Sequence, residues 1–307
     1  MTKSISLSSP LKRISILDAL RGFALLGVIL IHMIQHFGIF GMPSENEVLR
    51  FPMFDEAVQW IGNNIIMGRF INIFAFLFGI SFFIQMDRAE KKGVNFRFRF
   101  IWRMILLLVL GLLSHSFFNL EIISIYAFFG LLLLPLYRVK NWILLTLVAL
   151  LLLGAPRIIK AINHNSNLAT AQVEAPVQGN SDQGERIVPE HVAHLSFLNT
   201  AMHNYNERLP GKLNYQFGYI GRGYVTLALF ILGLYVGRIR FFESLDQHKK
   251  RNVKLFIGFL SGTLLFTFIQ NMLPAQNMFI LFRPDGQEIT SALLLDRTLA
   301  DIAMVLF

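Results

Sequence analysis

Apolar residues come in long blocks along this chain, separated by short polar runs. A membrane-spanning helix needs about 20 predominantly apolar residues. Seven blocks approach that length, over residues 15–40, 67–86, 101–120, 121–138, 141–159, 217–237 and 253–273. An eighth begins near Leu293 and is still apolar at Phe307. The chain is therefore expected to stop inside a helix and to be C-terminally truncated. The pattern predicts an all-α fold, a polytopic transmembrane bundle of seven or eight spans, with residues 1–307 forming one domain. The longest polar interval, residues 160–216, is expected to be a loop. Its first part, HNSNLATAQVEAPVQGNSDQGE, is polar and rich in small residues, a composition that favours mobility. Its second part, PEHVAHLSFLNTAMHNYNERL, has the look of a helix lying near the surface, with Pro189 where a helix would begin.

Composition strengthens the membrane reading. Hydrophobic residues make up 54% of the 307 and charged residues 15%, against about 45–50% and about 25% in soluble domains. The net charge of +9 is better explained by basic loops on one side of a membrane than by nucleic-acid binding. Basic residues collect in the N-terminal tail (Lys3, Lys12, Arg13) and in the 87–103 segment (Arg88, Lys91, Lys92, Arg97, Arg99, Arg103). They recur after the fourth block (Arg138, Lys140) and after the sixth (Arg238, Arg240, Lys249, Lys250, Arg251, Lys254). The 37–66 interval carries Glu45, Glu47, Asp55 and Glu56 against a single Arg50. All four basic segments fall on one side if the N-terminus is cytoplasmic. Residues 160–216 then lie outside. The basic N-terminus is followed by no small-residue cleavage site, so the first helix is expected to be retained. The chain has no cysteine, which excludes disulfides, thiolate metal sites and a cysteine nucleophile. No GxxxxGK[ST], dinucleotide fingerprint or GxSxG occurs either.

The candidate chemistry lies inside the blocks. Residues 17–37, LDALRGFALLGVILIHMIQHF, place Asp18, Arg21, His32 and His36 in a stretch that is otherwise oily. A charge at membrane depth costs about 2.5–3.5 kcal/mol on insertion scales, so such groups face the bundle interior or water. At about 100° per residue, Arg21 and His32 fall within about 20° of one line, and Asp18 and His36 within about 60° of it. One stripe carries all four. Asp18 and Arg21 can also form a purely structural ion pair at the helix start. Arg69, His115, Glu121, Tyr126 and Arg222 mark the outer ends of other blocks and are candidates to line a pocket with the stripe. For Arg69 and Arg222 a snorkelling role at the interface is the simpler reading. The tight turn between the third and fourth blocks is expected to pair His115 with Glu121, since an imidazole oriented by a carboxylate is a general-base unit. His191, His194 and His203 have no acidic ligand in register, and no metal site is expected from them.

The segment LDALRGFALLGVILIH resembles the first helix of the YeiB-like family of bacterial membrane proteins, the domain of unknown function (DUF) 418 family. FAFLFGISFFIQMDRAEKKG, RMILLLVLGLLSHSFFNLEIISIYAFFGLLLLP and LALFILGLYVGR resemble its later helices in the same order. Related families that share the LRG opening are the acyltransferase-three and heparan-glucosaminide acetyltransferase types. The resemblance implies transfer of an acyl group from a cytosolic acyl-CoA-type donor to a glycan, lipid or small-molecule acceptor reached through the bacterial cytoplasmic membrane. It implies a catalytic role for His32, which stands at the matching distance after LRG, and a donor-side role for Arg21. Acyl-CoA would be a substrate, and no permanently bound cofactor is expected. A secondary transporter of a small anionic solute, using Arg21, Arg69 and Arg222, is the alternative, and a non-catalytic membrane protein is a third.

Overall fold

The structure is a computed structural model that describes residues 15–36, 52–62, 66–174, 196–243, 245–274, 278–282, 284 and 287–306. All regular secondary structure among the described residues is helical. The apolar blocks appear as α1 (Ser15–His36), α3 (Arg69–Lys91), α4 (Arg97–Phe117), α5 (Ile123–Leu136), α6 (Asn141–Leu152), α10 (Arg222–Arg238), α11 (Lys249–Met272) and α12 (Ser291–Leu306). Four further helices fall in intervals expected to be loops or span ends. They are α2 (Pro52–Ile61), α7 (Ala155–Glu174), α8 (Phe197–His203) and α9 (Leu209–Phe217), with a π-helical turn, Asn204–Arg208, between the last two. Much of the expected 160–216 loop is thus ordered helix. Its surface helix starts at Phe197, where the Ser196 hydroxyl accepts from the Asn199 amide at 3.1 Å, and Pro189 lies outside the described residues.

By length and composition α1, α3, α4 and α11 can each cross a membrane. Two bent pairs, α6 with α7 (47°) and the 197–217 segment with α10 (55°), bring the total to six. Among the described residues that is short of the seven or eight expected by this criterion; α5 is too short for it, its 14 residues rising only about 21 Å, although it runs from the turn 118–122 to the basic end. Backbone conformation sets the two bends. Gly154 (φ 77°) ends α6 before α7, and Gly221 (φ 64°) precedes α10. Both lie in the left-handed region that disfavours a side chain.

The centre of the bundle is α10 packed on α3. A Cβ on Gly79 would lie 2.1 Å from the Phe230 carbonyl oxygen, and one on Gly233 would lie 2.1 Å from that of Phe76. The two glycines let the backbones touch, the device that substitutes for hydrophobic attraction when lipid is the solvent. Phe78 stacks on Phe230 with centroids 4.6 Å apart, and Phe82, Phe129, Leu133 and Leu234 complete the core. Helix α1 lies on the other flank of α3. Its buried Leu17, Ala24 and Ile31 recur every seven residues, and Leu17 and Ala24 pack with Leu77 and Ile80 of α3. The Phe70 ring occupies the space that a Cβ on Gly27 would need.

The two ends of the bundle differ in chemistry. At one end Arg240 of the α10–α11 turn meets Asp87 of α3 at 3.0 Å. There Arg238 donates to the carbonyls of Tyr137 and Val139 in the α5–α6 turn. Three basic turns therefore converge. At the other end the turn 118–122 meets the α8–α9 segment through Glu121 and Lys212.

Candidate functional site

On α1 the polar stripe is anchored at two depths. Arg21 Nη1 donates to Asp18 Oδ1 at 2.7 Å, and Nη2 donates to the Ser81 hydroxyl of α3 at 2.6 Å. Both partners of the ion pair are about one-third exposed (36% and 34%), so its own contribution is modest. The bond to Ser81 gives the pair a second use, because it fixes α1 against α3. Ser81 precedes Lys91 by about 15 Å of helix, which sets the guanidinium below the basic rim rather than at it. His32 is half-buried, and its ring meets Phe118 edge-on at 5.2 Å and 85°. It stands about 16 Å along α1 from Arg21. The His36 side chain lies outside the described residues.

His115 and Glu121 take different partners. His115 is 1% exposed, and its Nε2 lies 3.1 Å from the Asn204 carbonyl. Its Nδ1 is buried with no partner among the described residues. The Asn204 amide donates in turn to the Ser116 carbonyl at 3.0 Å. Glu121 accepts from the Ser124 amide at 3.0 Å and from its hydroxyl, and is ion-paired with Lys212 of α9. The expected His115–Glu121 unit is therefore not formed. A carboxylate that is 3% exposed requires a cation and hydrogen bonds around it, and Lys212 and Ser124 meet that requirement.

Tyr126 and Arg222 also bind protein groups. The Tyr126 hydroxyl donates to the Ile71 carbonyl at 2.8 Å, deep among Phe74, Phe78 and Phe230. Arg222 is 6% exposed, so it does not snorkel to the interface. Its Nη2 donates to the Gly68 carbonyl at 2.9 Å and to Asn72, and Asn72 reaches the Met304 carbonyl at 3.2 Å. Arg69, partly buried, opens α3 directly after Gly68.

A family model described as the catalytic region of heparan-alpha-glucosaminide N-acetyltransferase matches residues 13–182, more than half of the chain. The chain belongs to this family. It is an acetyltransferase-like membrane protein. The match runs from the start of α1 through α7, so it takes in the whole polar stripe and the His115–Glu121 turn. Two similar bacterial proteins carry no assigned activity. One is an uncharacterized 39.9 kDa protein in the amylase 3′ region of Bacillus acidopullulyticus, 35% identical over 46% of this chain. The other is the uncharacterized protein YxaH of Bacillus subtilis (strain 168), 27% identical over 80% of this chain. These matches cover 39% and 63% of the relatives' own lengths. No solved structure matches the chain.

In this member of the acetyltransferase family the largest buried polar group is one the sequence pattern did not single out. Arg157 of α7 is 1% exposed and bonds Asp301 of α12 at 2.7 Å. Asp301 is fully buried and also lies 2.8 Å from Arg297. Both arginines reach the Ile220 carbonyl, at 3.4 and 3.3 Å. Arg157 lies near the end of the 141–159 block and carries no motif of its own, so only its tertiary partner reveals its depth. Lys212 was hidden in the same way inside a polar interval. The signal for Ser81 is a hydroxyl among the apolar residues 73–84 of α3.

Proposed function

We propose that this protein transfers an acyl group, of acetyl type, between a donor on the basic side of the membrane and an acceptor on the opposite side. The observation that carries the reading is the α1 stripe. An imidazole that is not fully buried stands about 16 Å along one helix from an arginine held by Asp18 and Ser81. In this reading His32 takes the proton from an acceptor hydroxyl or amine as it attacks the thioester carbonyl. The thiolate leaves toward the basic side. Arg21 orients the donor, and Ser81 and Asp18 keep its guanidinium in place. The basic side is cytoplasmic, the membrane is the bacterial cytoplasmic membrane, and the donor is an acyl-CoA-type thioester. The acceptor is a glycan, lipid or small molecule.

The test is thiol release from acetyl-CoA by the protein in proteoliposomes, with acceptor mixtures supplied on the opposite side. A general base contributes about 10²–10⁴-fold, so His32→Ala should lower turnover by that order while the variant inserts and melts like the parent. Full activity in His32→Ala would remove the assignment. Solute counterflow without thiol release would favour the transporter.

A further inference from the structure

A cavity of about 300 Å³ opens at the basic end of the bundle, between the end of α3, the start of α4 and the α5–α6 turn. It is separate from the α1 stripe. Glu90, on its wall, is about 180° around α3 from Ser81, the residue that Arg21 bonds. Arg97 and Arg138, both exposed, are among the residues that line it. Neither side chain has a hydrogen bond or ion pair among the described residues, although Arg240, Arg238 and Arg103 close by all do. The one carboxylate on the wall, Glu90, accepts from the Tyr137 hydroxyl at 2.8 Å. The wall thus carries two cations against one acid.

The helix start beside it adds to the positive field. The first turn of α4 holds no acidic residue, although that is where the macrodipole favours one. Arg97 and Arg99 stand there instead. Two unpaired cations at a helix N-terminus repel each other and the dipole, and a bound anion relieves both. The floor of the cavity is apolar, with Met86, Ala89 and Phe96. Below it on α4, Phe98 and Trp102 are 78% and 54% exposed.

We propose that this cavity binds the phosphate group of an anionic ligand between Arg97 and Arg138. Two carriers of that group are compatible with the site, a phospholipid headgroup and a soluble organophosphate. The exposed apolar face running down α4 favours the phospholipid, whose chains would lie along Phe98 and Trp102.

Native mass spectrometry of the full chain in neutral detergent, titrated with phosphatidylglycerol and phosphatidylcholine, provides the test, with coenzyme A and pyrophosphate as soluble competitors. Retention of phosphatidylglycerol that soluble phosphates do not displace supports the lipid carrier. Displacement by coenzyme A or pyrophosphate supports the soluble one. In either case the double variant Arg97→Gln, Arg138→Gln should bind at least tenfold more weakly, because it removes two charge-assisted contacts. Lys249→Gln, at the start of α11 and not on the cavity wall, should bind like the parent. The single variants Arg97→Gln and Arg138→Gln give the same reading if the double variant expresses poorly. Binding that is unchanged in these variants, or absent for every phosphate offered to the parent, overturns the proposal.

Discussion

Replacing Asp301 with Asn tests the strongest energetic claim made by the fold. Among the described residues Asp301 is the only acid bonded to Arg157, whose Nε and Nη2 lack partners there. The substitution leaves a guanidinium that is 1% exposed with no counter-charge from Asp301 and only neutral acceptors, the new amide oxygen and the Ile220 carbonyl at 3.4 Å. Removing one partner of a buried pair costs about 3–5 kcal/mol, because the surviving charge stays desolvated. Arg297 softens the loss little; it is 14% exposed and also loses its acid. For a chain of this size roughly 2 °C of melting temperature corresponds to each kcal/mol, so Asp301→Asn should melt about 6–10 °C lower. The three tryptophans report unfolding by intrinsic fluorescence in detergent. The double change Arg157→Met, Asp301→Leu should recover most of the loss, since a well-packed apolar pair can replace a buried ion pair with little cost. A melting point for Asp301→Asn within about 2 °C of the parent would refute the claim that this pair holds α7 to α12.

Other expectations follow from the same geometry. Gly79→Ala puts a methyl 2.1 Å from the Phe230 carbonyl oxygen, and neither backbone can yield without parting α3 from α10; a loss of about 1–3 kcal/mol is expected, measured as reduced folded yield on size exclusion. Lys212→Met strands the Glu121 carboxylate and should destabilise by a few kcal/mol, whereas adding Glu121→Gln should restore the melting point; a double variant no better than the single would show that the pair does not couple. Single cysteines at Lys92 and Asn163, both exposed, should label from opposite faces of inverted and right-side-out vesicles, and labelling of both from one face would overturn the proposed topology.

The sequence by itself determined the class of this protein, the position of the helices in its apolar blocks and the basic end of the bundle. Those features depend on local properties: a run of apolar residues and a cluster of Lys and Arg. They are legible because a helix in lipid must satisfy its backbone internally, so its length and composition are written in one contiguous stretch. The α1 stripe was legible for the same reason, since Asp18, Arg21 and His32 share one helix and helical geometry alone puts them on one side. Pairing between elements was not. His115 and Glu121 are close in sequence, yet Asn204 and Lys212, roughly ninety residues away, are their partners. Arg222 looked interfacial and is buried, because Gly68 and Asn72 of α3 offer its guanidinium two acceptors. Arg157 sits near the end of an apolar block and is the most buried cation among the described residues because α12 presents Asp301. Burial of a charge is decided by what stands opposite it, and that is set by how the helices pack rather than by the residues around it in the chain.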